Sequence, residues 1–137
     1  MERRDFIALA GAFALTPLMA QAAAQTLEFK QNGDVQKLLD AGKTVFVDFY
    51  TTWCSTCQSQ ERSIEALRKK YPEYDKAMVF IKVDWDFFSR ADVAVKYKIP
   101  RRSTLLVLRG NKELGRIVAG TSRNKIKALM DMGVAGA

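Results

Sequence analysis

Residues Thr44–Gln58, TVFVDFYTTWCSTCQ, constrain this chain more than any other stretch. Val45, Phe46 and Val47 form an apolar, partly β-branched run that reads as a buried strand. Asp48 interrupts it, Phe49 and Tyr50 follow, and Thr51, Thr52 and Trp53 lead to Cys54 and Cys57. The order is strand, acid, aromatic, Cys-x-x-Cys, helix. A cysteine at a helix N-terminus faces unpaired backbone amides and the positive dipole end, which favour its thiolate. A second cysteine one turn on lies beneath the first and is expected to be less exposed. Such a pair supplies the attacking and resolving thiols of disulfide exchange. A structural disulfide or half of a zinc site are the competing readings. Structural zinc takes about four protein ligands, and this chain has no histidine and only 2 cysteines.

The stretch resembles the thioredoxin family through Asp48, Phe49, Trp53, Cys54 and Cys57, and through the later run Thr104–Leu108, TLLVL. The resemblance covers Thr26 to the C-terminus. It implies an α/β thioredoxin fold, with a central mixed sheet of four or five strands flanked by helices on both faces. It implies a thiol–disulfide oxidoreductase with Cys54 as nucleophile and Cys57 as resolving thiol. The family places an acid beneath the disulfide as base for the resolving cysteine, and Asp48 matches it. The family also places a lysine of the neighbouring strand near that acid, and Lys82 matches by position. The alternative is an Asp48 that faces water at a strand end. Trp53 matches the tryptophan beside the active-site turn, against the plainer reading of a half-buried aromatic. Arg101, Arg102, Ser103 and Thr104 match the loop that lies against the cysteines and contacts the substrate backbone.

The chain departs from the family at Ser103, where the family carries a cis proline; Pro100 lies three residues early. A cis bond before a non-proline residue costs about 2.5–4 kcal/mol. A trans Arg102–Ser103 bond in a rearranged loop is therefore expected, with a hydroxyl in reach of sulfur or substrate. Loss of the proline ring also leaves the thiolates more open to metal, and a metal-binding or metal-delivery protein is the alternative function. Ser55 and Thr56 stand between the cysteines and help to set the reduction potential. The flank Asp48–Trp53 favours a protein-disulfide reductase. No nicotinamide or flavin motif is present, so no cofactor is expected and electrons would come from a membrane-bound donor. Protein or small disulfides are the expected substrates of a monomer.

Residues 1–24 read as an export signal rather than as part of the fold. Arg3 and Arg4 precede an apolar segment, Phe6–Ala20, and Ala20-Gln21-Ala22 has a small-x-small cleavage form. The adjacent arginines resemble the twin-arginine type. An N-terminal anchor is the alternative, but the segment falls short of the ~20 residues of a spanning helix. The expected compartment is an oxidising periplasm, and the domain is 25–137. The net charge of +7 is the same without that segment, because Glu2 and Asp5 offset Arg3 and Arg4. Export and the lack of an aromatic–basic groove argue against nucleic acid. The Arg68–Lys70 cluster reads as a solvated face. Arg101 and Arg102 would instead favour the Cys54 thiolate and attract acidic substrates.

The remaining elements follow from pattern. Thr26–Lys30 alternates as a strand. Asn32–Asp34 turns into a short helix with Val35, Leu38, Leu39 and Ala41, ended by Gly42. The helix after Cys57 runs to about Tyr71, with Ile64, Leu67 and Tyr71 inward. Its polar opening, Gln58–Ser63, reads as solvent-facing, and Pro72 breaks it. Met78–Val83 is a buried strand, and Ser89–Tyr97 reads as a helix with Val93, Ala94 and Tyr97 inward. Trp85 reads as packing, in the core or on the surface. Leu114–Val118 pairs antiparallel with Thr104–Leu108, because Gly110-Asn111 is too short for a crossover. Thr121 or Ser122 caps a last helix that buries Ile126, Leu129 and Met130.

Overall fold

Alternating side chains along Thr44–Tyr50 decide the layering. The computed structural model describes residues 25–136, and the segment read as an export signal lies outside them. The strands are β1 (Thr26–Glu28), β2 (Thr44–Tyr50), β3 (Met78–Asp84), β4 (Thr104–Arg109) and β5 (Lys112–Val118). They form one 5-stranded mixed sheet in the order β1-β3-β2-β4-β5. Central β2 runs parallel to β3 and antiparallel to β4, and β5 closes a hairpin on β4. Successive side chains of a strand point to opposite faces. Val45, Val47 and Phe49 therefore enter one core, with Val35, Leu39, Ile81 and Val93. Phe46 enters the other, with Ile64, Leu67, Phe80, Leu105 and Ile126. Asp48 is in phase with Phe46 and shares its side of the sheet.

The helices are α1 (Asp34–Asp40), α2 (Ser55–Lys70), α3 (Glu73–Ala77), α4 (Trp85–Phe88), α5 (Asp92–Lys96) and α6 (Arg123–Val134). Residues of α1 and α5 fill the first core, and those of α2, α3 and α6 fill the second. This is the thioredoxin fold expected from the sequence. The cap of α6 is Ser122, whose hydroxyl accepts the Lys125 N–H.

Three boundaries differ from the sequence reading. The strand read over Thr26–Lys30 ends at Glu28, although Phe29 just beyond it is buried. The helix read over Ser89–Tyr97 shrinks to α5, and a separate short helix, α4, precedes it. Asp84 accepts the Asp86 N–H and starts α4 directly at the strand end, and α5 begins only at Asp92. Val93 and Ala94 are buried as expected, while Tyr97 is only partly so. Pro72 does end α2, but its φ of −58° also opens α3, because the ring fixes a helical φ at a helix start. Trp85 is partly buried, edge-on to Phe49 at 5.9 Å between ring centres.

Arg68 departs from the solvated cluster assigned to it. It is 7% exposed. Its guanidinium donates to Asp75 Oδ1 at 2.6 and 2.9 Å, to Thr26 Oγ1 at 2.6 Å and to the Gln25 carbonyl at 3.0 Å. The same group lies 3.9 Å over the Phe80 ring. One side chain thus ties α2, α3 and the edge strand β1 together. Arg68→Ala should lower stability by about 2 kcal/mol and speed amide exchange in β1. Urea unfolding with an unchanged slope measures this. A loss under ~0.5 kcal/mol would reduce the contact to an ordinary surface ion pair.

Candidate active site

The end of β2 delivers Thr51–Trp53 to the N-terminus of α2, and Cys54 is the N-cap of that helix. Its backbone is extended (φ −92°, ψ 116°), and its sulfur accepts the Cys57 N–H at 3.1 Å. A cysteine sulfur thus takes the place that a serine or aspartate oxygen usually fills. A thiolate suits that place best, because the amide and the helix dipole both favour negative charge.

Ser103 is placed against both sulfurs. The Arg102–Ser103 peptide is trans, and Ser103 has φ +63°. Its N–H donates to the Phe49 carbonyl at 2.7 Å, and its carbonyl accepts from the Ala119 N–H at 2.8 Å. Gln60 Nε2 donates to the same carbonyl at 3.0 Å and to the Gly120 carbonyl at 2.9 Å. The hydroxyl so held is 3.2 Å from Cys54 Sγ and 3.0 Å from Cys57 Sγ. It has one proton to give. The Cys54 thiol is held down at about 6: burial opposes this, but hydrogen bonds from the Cys57 thiol, Ser103, the Cys57 amide and Arg102 outweigh it. The Cys57 thiol is pushed up by burial and by its contact with Cys54. Ser103 therefore donates its proton to a Cys54 thiolate.

The exposed-over-shielded contrast expected of the two thiols is absent. Cys54 is 4% exposed and Cys57 3%, because the trans loop lays Ser103 over both. Trp53 is 60% exposed, and its Nε1 donates to Asp86 Oδ2 at 2.8 Å. The Arg102 guanidinium stacks 4.5 Å over the Trp53 ring. Arg101 donates from Nε to the Arg102 carbonyl at 2.9 Å. Thr104 is fully buried, and its hydroxyl donates to the Arg101 carbonyl at 2.7 Å. Of the four loop residues assigned to substrate, the fold brings Arg102 and Ser103 to the cysteines; the polar groups of Arg101 and Thr104 bond within the loop.

Asp48 lies deep beneath this site, 5% exposed, and its Oδ1 has no hydrogen-bond partner among the described residues. The reading of a water-facing acid therefore fails. Lys82 is its register partner on β3, but Lys82 Nζ donates to Glu61 Oε2 at 2.6 Å and lies 4.1 Å over the Tyr50 ring. A cavity of about 30 Å³ is lined by Asp48, Glu61, Lys82 and Phe46 among others. Burial raises the Asp48 carboxyl from 3.8 to about 7; Lys82 opposes the rise, and Glu61, Glu28 and Cys54 add to it. Among the described residues, no three His, Cys, Asp or Glu side chains are grouped to hold a metal ion.

The thioredoxin family profile matches residues 22–132. The chain belongs to the thioredoxin family. It is 34% identical to thioredoxin-1 of Saccharomyces cerevisiae over 66% of this chain and 82% of that protein. It is 33% identical to thioredoxin-1 of Drosophila melanogaster over 71% of this chain and 87% of that protein. The crystal structure of Schistosoma mansoni thioredoxin superposes with a TM-score of 0.63 at 31% identity, covering 79% of this chain and 94% of that one. Oxidised Plasmodium falciparum thioredoxin superposes at 0.65 with 26% identity, covering 81% and 100%. Cys54 and Cys57 are the dithiol of a thioredoxin-family thiol–disulfide oxidoreductase.

Two residues of this thioredoxin-family site, Gln60 and Glu61, lie in the polar opening of α2 that reads as solvent-facing. Gln60 is 0% exposed and Ser63 6%, because the loops before β4 and after β5 cover them. The phase Cys57, Gln60, Ile64, Leu67 follows one helical stripe, and that spacing was the available signal for Gln60. Glu61 had none, since its partner Lys82 lies on β3.

A buried acid pushed above its ordinary value stabilises the fold only while it is protonated. Its contribution is complete below pH 3.8 and is lost as pH rises through about 7, on the order of 4 kcal/mol in total. Asp48→Asn should therefore unfold at higher urea than the wild type at pH 8, with the gap closing below pH 4. Cys54 adds stability in the opposite sense, lost as pH falls through about 6, and cancels in the comparison. Parallel urea midpoints at both pH values would show that Asp48 ionises freely in the fold.

Proposed function

We propose that this chain is an exported protein-disulfide reductase, and the Cys54 sulfur capping α2 beneath the Ser103 hydroxyl carries that reading. The Cys54 thiolate attacks one sulfur of a substrate disulfide. A Cys54–substrate bond forms, the substrate bond breaks, and the other substrate sulfur leaves with the electron pair. Cys57 then gives its proton to the Asp48 carboxylate and attacks Cys54 Sγ. The Cys54–Cys57 disulfide forms, and the second substrate sulfur departs as thiolate. Two electrons have passed to the substrate. A buried carboxylate held near pH 7 suits the base, since base strength and ionised fraction balance there.

Exposed Trp53 and the Arg102 guanidinium stacked on it suit an extended acidic polypeptide. The arginine pair, apolar segment and cleavage form of residues 1–24 support export to a periplasm by the twin-arginine route. A membrane-bound donor would then return the centre to the dithiol.

In an insulin-type reduction assay, Cys54→Ser should abolish activity. Cys57→Ser should accumulate covalent partner complexes through Cys54. Complexes trapped by Cys54→Ser instead would reverse the two roles. The reduction potential decides direction: a value nearer about −270 mV than about −120 mV marks a reductase. A reporter fused to residues 1–24 should reach the periplasm and stay in the cytoplasm when Arg3 and Arg4 are both Lys.

A further inference from the structure

Glu61 lies one helical turn beyond Cys57, with its side chain 36% exposed. Its carboxylate holds the Lys82 ammonium at 2.6 Å. Lys82 stands directly across from Asp48 in the β2–β3 register. A lysine in that place could bond either acid. It bonds Glu61, while Asp48 Oδ1 stays buried without a hydrogen bond among the described residues. Tyr50 beside them is engaged too, its hydroxyl donating to Glu28 at 3.1 and 3.2 Å.

The distinction matters for proton transfer. In the resolving step the proton of Cys57 passes to Asp48 as the Cys57–Cys54 bond forms and the substrate thiolate leaves. An acid in direct contact with an ammonium is a poor base, because the cation favours the carboxylate over the protonated form. We propose that Glu61 is a positioning residue for disulfide exchange: by holding Lys82 on α2 and adding a second carboxylate near Asp48, it leaves Asp48 free of an ion pair and able to take and return the Cys57 proton. This rests on the reading of Asp48 as the base. The groups acting on Asp48 come from every element around it. Lys82 on β3 draws its carboxyl down, and Glu61 on α2, Glu28 on β1 and Cys54 at the start of α2 push it up, with burial the largest influence. Glu61 is the one of these whose removal alters both signs, since it repels Asp48 and restrains Lys82.

The test is Glu61→Gln, which keeps the shape and removes the charge. Two measurements are made on the full chain against pH. One is the carbon-13 carboxyl resonance of Asp48 in the reduced protein. The other is the rate at which Cys57 resolves a mixed disulfide of Cys54 with a small aromatic thiol. In Glu61→Gln the Asp48 midpoint should move about one pH unit toward acid, and the acid limb of the rate should move with it. Glu61→Asp, which keeps the charge, should stay close to the wild type. Lys82→Met should move the midpoint the other way. In an Asp48→Asn background, Glu61→Gln should no longer shift the rate profile. An unmoved Asp48 midpoint in Glu61→Gln overturns the proposal alone. A rate shift that persists without Asp48 also overturns it, because Glu61 would then act by another route. An Asp48→Asn profile identical to the wild type overturns the reading of Asp48 as base, and the proposal with it.

Discussion

A strand covered on both faces offers a carboxylate no water. β2 is such a strand, with Val45, Val47 and Phe49 in one core and Phe46 in the other. Asp48 must take one side or the other, and its phase sends it to the side of α2. The same strand then runs out into the turn that makes Cys54 the cap of α2. Asp48 and Cys54 are therefore fixed relative to each other by one stretch of backbone, and the two cores hold that stretch still.

The chemistry of the site is a separation of three acids that would otherwise titrate at their own ordinary values. Cys54 is drawn down by donors aimed at its sulfur, Cys57 is pushed up by burial and by its neighbour, and Asp48 is pushed up by burial. Environments that push neighbouring acids apart assign their roles. Ser103 is central to the separation, because its hydroxyl touches both sulfurs. A proline ring at that position could exclude water but could not donate. The loop reaches its shape through a left-handed residue, Ser103 at φ +63°, which costs on the order of 1–3 kcal/mol. The bonds from Gln60, Ala119 and to Phe49 offset that strain.

Local pattern made most of this legible. The run Thr44–Tyr50, the two cysteines and the hairpin turn at Gly110 define the sheet and its reactive end without reference to anything distant. The departure at Ser103 was legible too, as a trans bond and a new hydroxyl. What pattern could not supply were contacts between elements far apart in sequence. Lys82 was placed near Asp48 by its match to the family's lysine, but the competing carboxylate of Glu61 comes from α2 and carries no signal on β3. Thr104 looked available to substrate because it matches the family's loop against the cysteines, whereas its hydroxyl closes a turn with Arg101. Gln58–Ser63 looked wet because no residue there is apolar; loops after β5 and before β4 cover part of it.

The burial of Cys54 bears on how the molecule ages. Oxidants such as peroxide damage cysteines in proportion to both thiolate character and accessibility. In this site the two properties are separated: the sulfur is acidic, yet 4% exposed. Burial beneath Ser103 therefore slows the sulfination of a thiolate whose acidity alone would invite it.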